Sequence, residues 1–232
     1  MNVNVAEKVS ENVQSVEEAI ISMVVEKMGT DEKLPTEKQM VETFGISRTT
    51  LREIFSVLEA NGMVESYQGK GRYAVMPDMG RQIVNSWALL LRAKPEMVLN
   101  FLEIRRLLEV NSLERAMQRA DLEMLTKLSI QVEKMKERAS QGKSFSKEDR
   151  EFHRILFMST QNILLEQLLT AFWDIYDQVG IEREHEDLMK VALTHEEIHN
   201  AFIKQDLALA TKLMEEQFVD ARYRIVQFLA TR

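Results

Sequence analysis

Apolar side chains recur at helical spacing from early in the chain. Val13, Val16, Ile20, Met23, Val24 and Met28 fall on one face, which predicts an amphipathic helix ending near Gly29. Pro35 and Thr36 open a second helical stretch, with Met40, Val41 and Phe44 apolar and Gly45 as its stop. Ser47 stands where it caps a third helix, whose buried stripe is Leu51, Ile54, Phe55 and Leu58 and whose end is Asn61-Gly62. The pattern then changes period. Residues 63–68 and 72–76 are short strand-like runs joined by Gly69-Lys70-Gly71, a hairpin with a glycine-bracketed tip. Helix, helix, short turn, helix and hairpin is the order of a winged helix-turn-helix. From Met79 the pattern is helical throughout, with segments at 81–91, 95–119, 121–139, 146–159, 162–179, 184–191, 194–204 and 206–231. The expected fold is therefore mainly α: a winged helix-turn-helix over 1–78 behind a short polar tail, then an all-α bundle over 79–232.

Glycine supports that division. Six of the eight glycines (Gly29, Gly45, Gly62, Gly69, Gly71, Gly80) lie in the first 80 residues, leaving Gly142 and Gly180 for the rest. Pro35, Pro77 and Pro95 sit at predicted edges, as a residue without a backbone donor should. Cysteine is absent, which excludes disulfide frameworks, cysteine-ligated metal and thiol catalysis, and fits a reducing compartment. The apolar run 87–91 is far short of the roughly 20 residues of a membrane helix. Residues 1–18 carry neither a basic nor an apolar leader pattern. A cytoplasmic protein without membrane contact is the expectation.

Thirty Lys and Arg against 37 Asp and Glu leave a net charge of −7, so any DNA contact must come from a local patch. The third helix offers one. Ser47-Arg48-Thr49-Thr50-Leu51-Arg52 puts hydroxyls at a helix N-terminus and two guanidinium groups at i, i+4, opposite the apolar stripe. Arginine in that setting bridges guanine O6 and N7, while Lys38 and the hairpin tip Gln68-Gly69-Lys70 are placed for backbone and minor groove. The plain alternative is a solvated face with Arg48 and Arg52 paired to Glu53 or Glu59. Residues 36–72 carry five basic and five acidic side chains, so a DNA face requires the acids on the far side.

In the helical half, polar groups on apolar stripes are informative. Asp149 and His153, at i, i+4, project from one face among Phe152, Ile155, Leu156 and Phe157. A divalent metal or a simple Asp–His hydrogen bond would satisfy them. His195-Glu196-Glu197-Ile198-His199 formally matches HExxH, the zinc-hydrolase pattern. That chemistry needs a third ligand, yet Phe202 and Gln205 stand where the extended motif wants Gly and His. A surface or boundary role for His199 is the alternative.

The sequence resembles two linked families. Leu34-Pro35-Thr36-Glu37, Phe44-Gly45-Ile46-Ser47-Arg48-Thr49-Thr50-Leu51-Arg52-Glu53, Leu58, Gly62 and Gly69-Lys70-Gly71 resemble the GntR-family repressor domain over about residues 12–76. The resemblance implies that Lys38, Ser47, Arg48, Thr49, Thr50 and Arg52 face DNA, with Gln68 and Gly69 at the wing. Residues 101–109, Asp149-Arg150-Glu151-Phe152-His153 and His195…Ala201…Asp206…Ala210 resemble the ligand-binding FCD domain of the FadR subfamily over about 80–228. In many such domains an Asp, a following His and two later His hold one metal. By position these are Asp149, His153, His195 and Gln217, with Gln217 departing from the family's His. Arg105 matches a position that often faces the effector, and its alternative is an ion pair with Glu103 or Glu109.

Together these readings imply a homodimeric, non-enzymatic transcriptional regulator. It would bind a double-stranded operator and respond to a small, carboxylate-bearing metabolite, with zinc, nickel or manganese in its pocket. The rivals are a zinc hydrolase using the HEEIH helix and a helical protein-interaction module.

Overall fold

Thr36 and Ser47 cap the helices that follow them. The computed structural model describes residues 3–179 and 187–230. After α1 (Val3–Lys27), α2 (Glu37–Phe44) opens on a reciprocal capping box between Thr36 and Gln39, and Gly45 ends it at φ 66°. In α3 (Arg48–Ala60) the Ser47 hydroxyl accepts from the Thr50 amide at 3.0 Å. The stripe Leu51, Ile54, Phe55 and Leu58 is buried against Ile20 and Val24 of α1 and Met40 of α2. Strands β1 (Val64–Tyr67) and β2 (Gly71–Ala74) pair antiparallel, with Val64 opposite Ala74 and Tyr67 opposite Gly71. Strand β1 starts at Val64 rather than at 63, and β2 starts one residue earlier than the predicted run 72–76 and ends at Ala74. The turn takes Gln68, Gly69 and Lys70, so β1 ends at Tyr67 rather than at 68. There Tyr67 O accepts from Lys70 N at 3.0 Å and Gly69 takes φ 73°, the positive value that this turn position demands. A one-residue bridge from Lys33 to Tyr73 adds to the hairpin's edge.

The second unit is all helix: α4 (Met79–Ala93), a 3-10 turn at Pro95–Met97, α5 (Val98–Gln118), α6 (Leu122–Ser140), α7 (Ser146–Met158), α8 (Ile163–Val179), α9 (Leu188–Ile203) and α10 (Leu207–Ala230). Pro95 therefore starts the 3-10 turn, and α5 proper follows it. The two helices predicted at 184–191 and 194–204 are one. Asp187 caps it by accepting from Lys190 N at 2.9 Å, and nothing between Val191 and Thr194 interrupts its hydrogen bonds. The predicted stop at Gly180, the start at Glu184 and the end at Thr231 lie outside the described residues, as does the Val13 side chain.

Helices α4 and α8, α6 with α7 and α9, and α5 with α10 pack in pairs around one apolar core. Half-buried Trp87 packs edge-on against Phe101, and Phe101 against Phe172, with centroids 4.5 Å and 4.9 Å apart. Phe172 faces this cluster, while the next residue, Trp173, lines a cavity. The units are Met1–Asp78, a winged helix-turn-helix, and Met79–Arg232, an all-α bundle. Among the described residues no helix is long and apolar enough to cross a membrane.

Candidate functional site

A cavity of about 330 Å³ opens inside the helical unit, with Arg105, Asp149, His153, Trp173, His195 and Gln217 on its wall. Helix α7 contributes Asp149 from its first turn, where a carboxylate suits the helix dipole, and His153 one turn on. Helix α9 contributes His195, α10 contributes Gln217, and α5 contributes Arg105. Asp149 Oδ1 is 2.8 Å from His195 Nε2 and 3.6 Å from His153 Nε2. The ligating atoms of the three residues all lie within 4.8 Å of one another. Donors held about 2.0–2.1 Å from a tetrahedral ion are about 3.3 Å apart, so the cluster has the right scale for one.

The surroundings fix the imidazoles. His195 Nδ1 is 2.8 Å from Val191 O, and a carbonyl only accepts, so Nδ1 donates there and Nε2 is the nitrogen turned toward Asp149. Gln217 Nε2 lies 3.3 Å from His195 Nε2, and turning the amide over presents its oxygen to the same point. The residues present therefore fit a divalent ion with one weak, neutral fourth ligand. His153 Nδ1 lies 2.9 Å from Glu109 Oε2, at ion-pair distance though not aligned as a hydrogen bond.

Arg105 makes the ion pair with Glu109, not Glu103, and also lines the cavity. Its Nε donates to Glu109 Oε1 at 2.5 Å, and its guanidinium carbon sits 4.0 Å above the Trp173 ring centroid. Its Nη groups make no hydrogen bond among the described residues. Burial pushes the Glu109 carboxyl up, but Arg105 and His153 more than offset that and hold it at about 2. Burial also lowers the Arg224 guanidinium at the cavity wall, against the pull of Asp149 and Asp220.

The HExxH helix does not build a hydrolytic site. His195 lines the cavity, but His199 is buried elsewhere, with Nε2 3.0 Å from Leu125 O on α6. Glu196 faces Lys136, 3.0 Å away, and is no base for a cavity water. Glu196→Gln is expected to leave DNA affinity and ligand response at parental values, and the purified chain to cleave no peptide. Cleavage that disappears with this change would reinstate the hydrolase.

In the first unit Lys38, Ser47, Arg48, Thr49 and Arg52 are exposed, as are Gln68, Gly69 and Lys70 at the hairpin tip. Thr50 is half-buried, its hydroxyl 2.9 Å from that of Ser47, so both hydroxyls are partly engaged in capping α3. Arg48 has no ion-pair partner among the described residues. Arg52 pairs with neither Glu53 nor Glu59 but with Glu37, 3.2 Å away on α2. Arg72 of the hairpin joins the same carboxylate at 3.1 Å and also reaches Glu59 at 3.3 Å. Hydrogen bonds from Arg52 and then Arg72 hold the Glu37 carboxyl below its usual range. The expectation that the acids lie on the far side thus fails at Glu37, which stands beside Arg52.

Two family profiles match the chain: "Bacterial regulatory proteins, gntR family" over residues 9–73, and "FCD domain" over residues 100–219, which alone is just over half of the 232 residues. The chain belongs to the GntR family of bacterial regulatory proteins, with an FCD domain. It is 28% identical over 184 residues to the HTH-type transcriptional regulator LutR of Bacillus subtilis, covering 73% of this chain and 80% of LutR. It is 28% identical over 208 residues to the Uxu operon transcriptional regulator of Escherichia coli, covering 85% and 79% of the two chains. Among solved structures, Streptococcus agalactiae GntR shares the fold at a TM-score of 0.67 and 22% identity, covering 91% of this chain and 99% of that one. This GntR-family chain is a transcriptional regulator with a ligand-binding FCD domain, and its relatives are regulators rather than enzymes.

The FCD cavity brings together Arg105, Asp149, His153, His195 and Gln217. Trp173, which stacks on Arg105, and Arg224 went unremarked in the sequence. Neither has a local signature, since each matters through a partner on another helix.

Proposed function

We propose that this regulator acts in the cytoplasm as a homodimer whose α3 helices, with Lys38, Ser47, Arg48, Thr49, Thr50 and Arg52, address two half-sites of a pseudo-palindromic operator. Gln68, Gly69 and Lys70 of the hairpin reach the flanking groove. In the second unit Asp149, His153 and His195, with Gln217 as the weak fourth donor, hold a zinc, nickel or manganese ion. The ion supplies a Lewis-acid anchor for an acid group of the effector. Arg105 offers its Nη groups to the same ligand as a guanidinium fork. The reading is carried by one observation: a metal-type donor cluster and a cation with unspent donors share one cavity of about 330 Å³. That cavity also favours a small ligand over a protein partner.

Effector control needs only that the ligand bind one arrangement of the two DNA-binding units better than the other. The test is a metabolite screen by thermal shift, with and without added zinc, nickel or manganese, because a ligand stabilises what it binds. Small carboxylic acids are expected to raise the melting temperature where their neutral amides do not, and the same acids to change operator affinity. Acids that shift nothing, with or without metal, would overturn the effector assignment.

A further inference from the structure

No charged side chain among the described residues is more deeply buried than Glu109, at 0% exposure. A carboxylate so far from water is costly unless both oxygens are engaged. Here they point in different directions. Oε1 accepts from Arg105 Nε at 2.5 Å, and Oε2 faces His153 Nδ1 at 2.9 Å. Neither Glu109 Oε2 nor His153 Nδ1 has an aligned hydrogen-bond partner among the described residues, and at 2.9 Å each is within reach of the other. A carboxylate oxygen is only an acceptor, so the group that satisfies both atoms is a proton on Nδ1. That proton leaves Nε2 bare on the opposite edge of the ring, the edge that faces Asp149 at 3.6 Å. On His195 the same task falls to a backbone carbonyl of its own helix, Val191 O. On His153 it falls to a side chain from another helix, with Arg105 as counter-charge.

We propose that Glu109 is a positioning residue for His153: it keeps the imidazole proton on Nδ1 and so makes Nε2 the donor that completes the Asp149–His153–His195 cluster. The proposal rests on the metal reading above and adds to it the residue on which that reading depends. Groups behind a metal's imidazole ligand typically set about 10–100-fold of the affinity.

Removing Glu109 alone strands a buried guanidinium, so the test removes the charge pair together. Arg105→Met/Glu109→Gln keeps an acceptor for the Nδ1 proton, whereas Arg105→Met/Glu109→Met has nearly the same shape without one. Zinc affinity is measured by competition with a chelating dye, alongside the melting temperature of each metal-free variant. The Gln variant is expected to bind zinc about 10–100-fold more tightly than the Met variant, with no matching difference in metal-free stability. Equal zinc affinities would overturn the proposal. Long-range proton–nitrogen spectra of the metal-free parent provide the second readout, and are expected to show a proton on His153 Nδ1. A bare Nδ1 would overturn the proposal whether or not zinc binds. A parent that binds no zinc but carries that proton removes the metal reading alone, and the role of Glu109 in setting His153 stands.

Discussion

Zinc raises the melting temperature of the parent chain, Asp149→Ala and His195→Ala abolish the rise, and Gln217→His enlarges it. These are the results expected of a metal titration followed by thermal unfolding. The ligands come from α7, α9 and α10, so an ion among them ties three helices of the native state and has no equivalent site in the unfolded chain. At about 100 times its dissociation constant such a ligand adds about 2.7 kcal/mol. For a unit of this size that corresponds to a rise of about 5–10 °C. Loss of a direct ligand exceeds the roughly 10–100-fold cost of losing a group behind one. Gln217 is a neutral donor, so the parental site should be labile to chelators, and a third imidazole in its place should retain zinc or nickel against them. Imidazole must be unprotonated to bind, so metal affinity falls as the solution is acidified. Elemental analysis decides the outcome: no bound metal and no thermal shift, in either the parent or Gln217→His, would mean that the pocket works without an ion. Asp149, His153 and His195 would then be hydrogen-bonding groups for the effector, with Arg105 as its charge partner.

What the sequence made legible is local. Thr36, Ser47 and the glycines of the hairpin turn act on backbone within three or four residues. Residue type beside the apolar pattern therefore announced the elements they start or end, although the partners Gln39 and Thr50 emerged only in the fold. The Asp149–His153 pair was legible for the same reason, both residues lying on one face of α7. His199 shows the limit of such spacing. It has the same i, i+4 relation to His195, yet the helix offset between them is enough to send one ring into the cavity and the other onto α6. Partners across helices had no spacing to betray them. Glu109 was weighed only as a neighbour of Arg105 on its own helix, and its contact with His153 depends on how α5 packs on α7. Gln217 reached the candidate site through family resemblance rather than any pattern around it, and its amide does lie against the His195 ring.

The packing that brings Glu37 beside Arg52 changes what each arginine can be asked to do on DNA. Arg48→Ala is expected to weaken operator binding by about 1–3 kcal/mol per half-site, the value of a bidentate guanine contact, and to relax specificity at that base. A homodimer loses this twice. Arg52→Ala should cost less. Its Nε and Nη2 already face Glu37, and a carboxylate there repels the phosphates that Arg52 would approach. Lys38→Ala, removing an exposed charge with no assigned base, should weaken all sequences alike and flatten the salt dependence by about one unit of slope. Operator titrations at several salt concentrations, repeated on a scrambled duplex, separate the three. Unchanged affinity and specificity for both arginine variants would show that α3 is not the helix that reads the operator. If Arg52→Ala instead proved the costlier, Glu37 would be bracing the Arg52 fork in its reading position rather than competing for it.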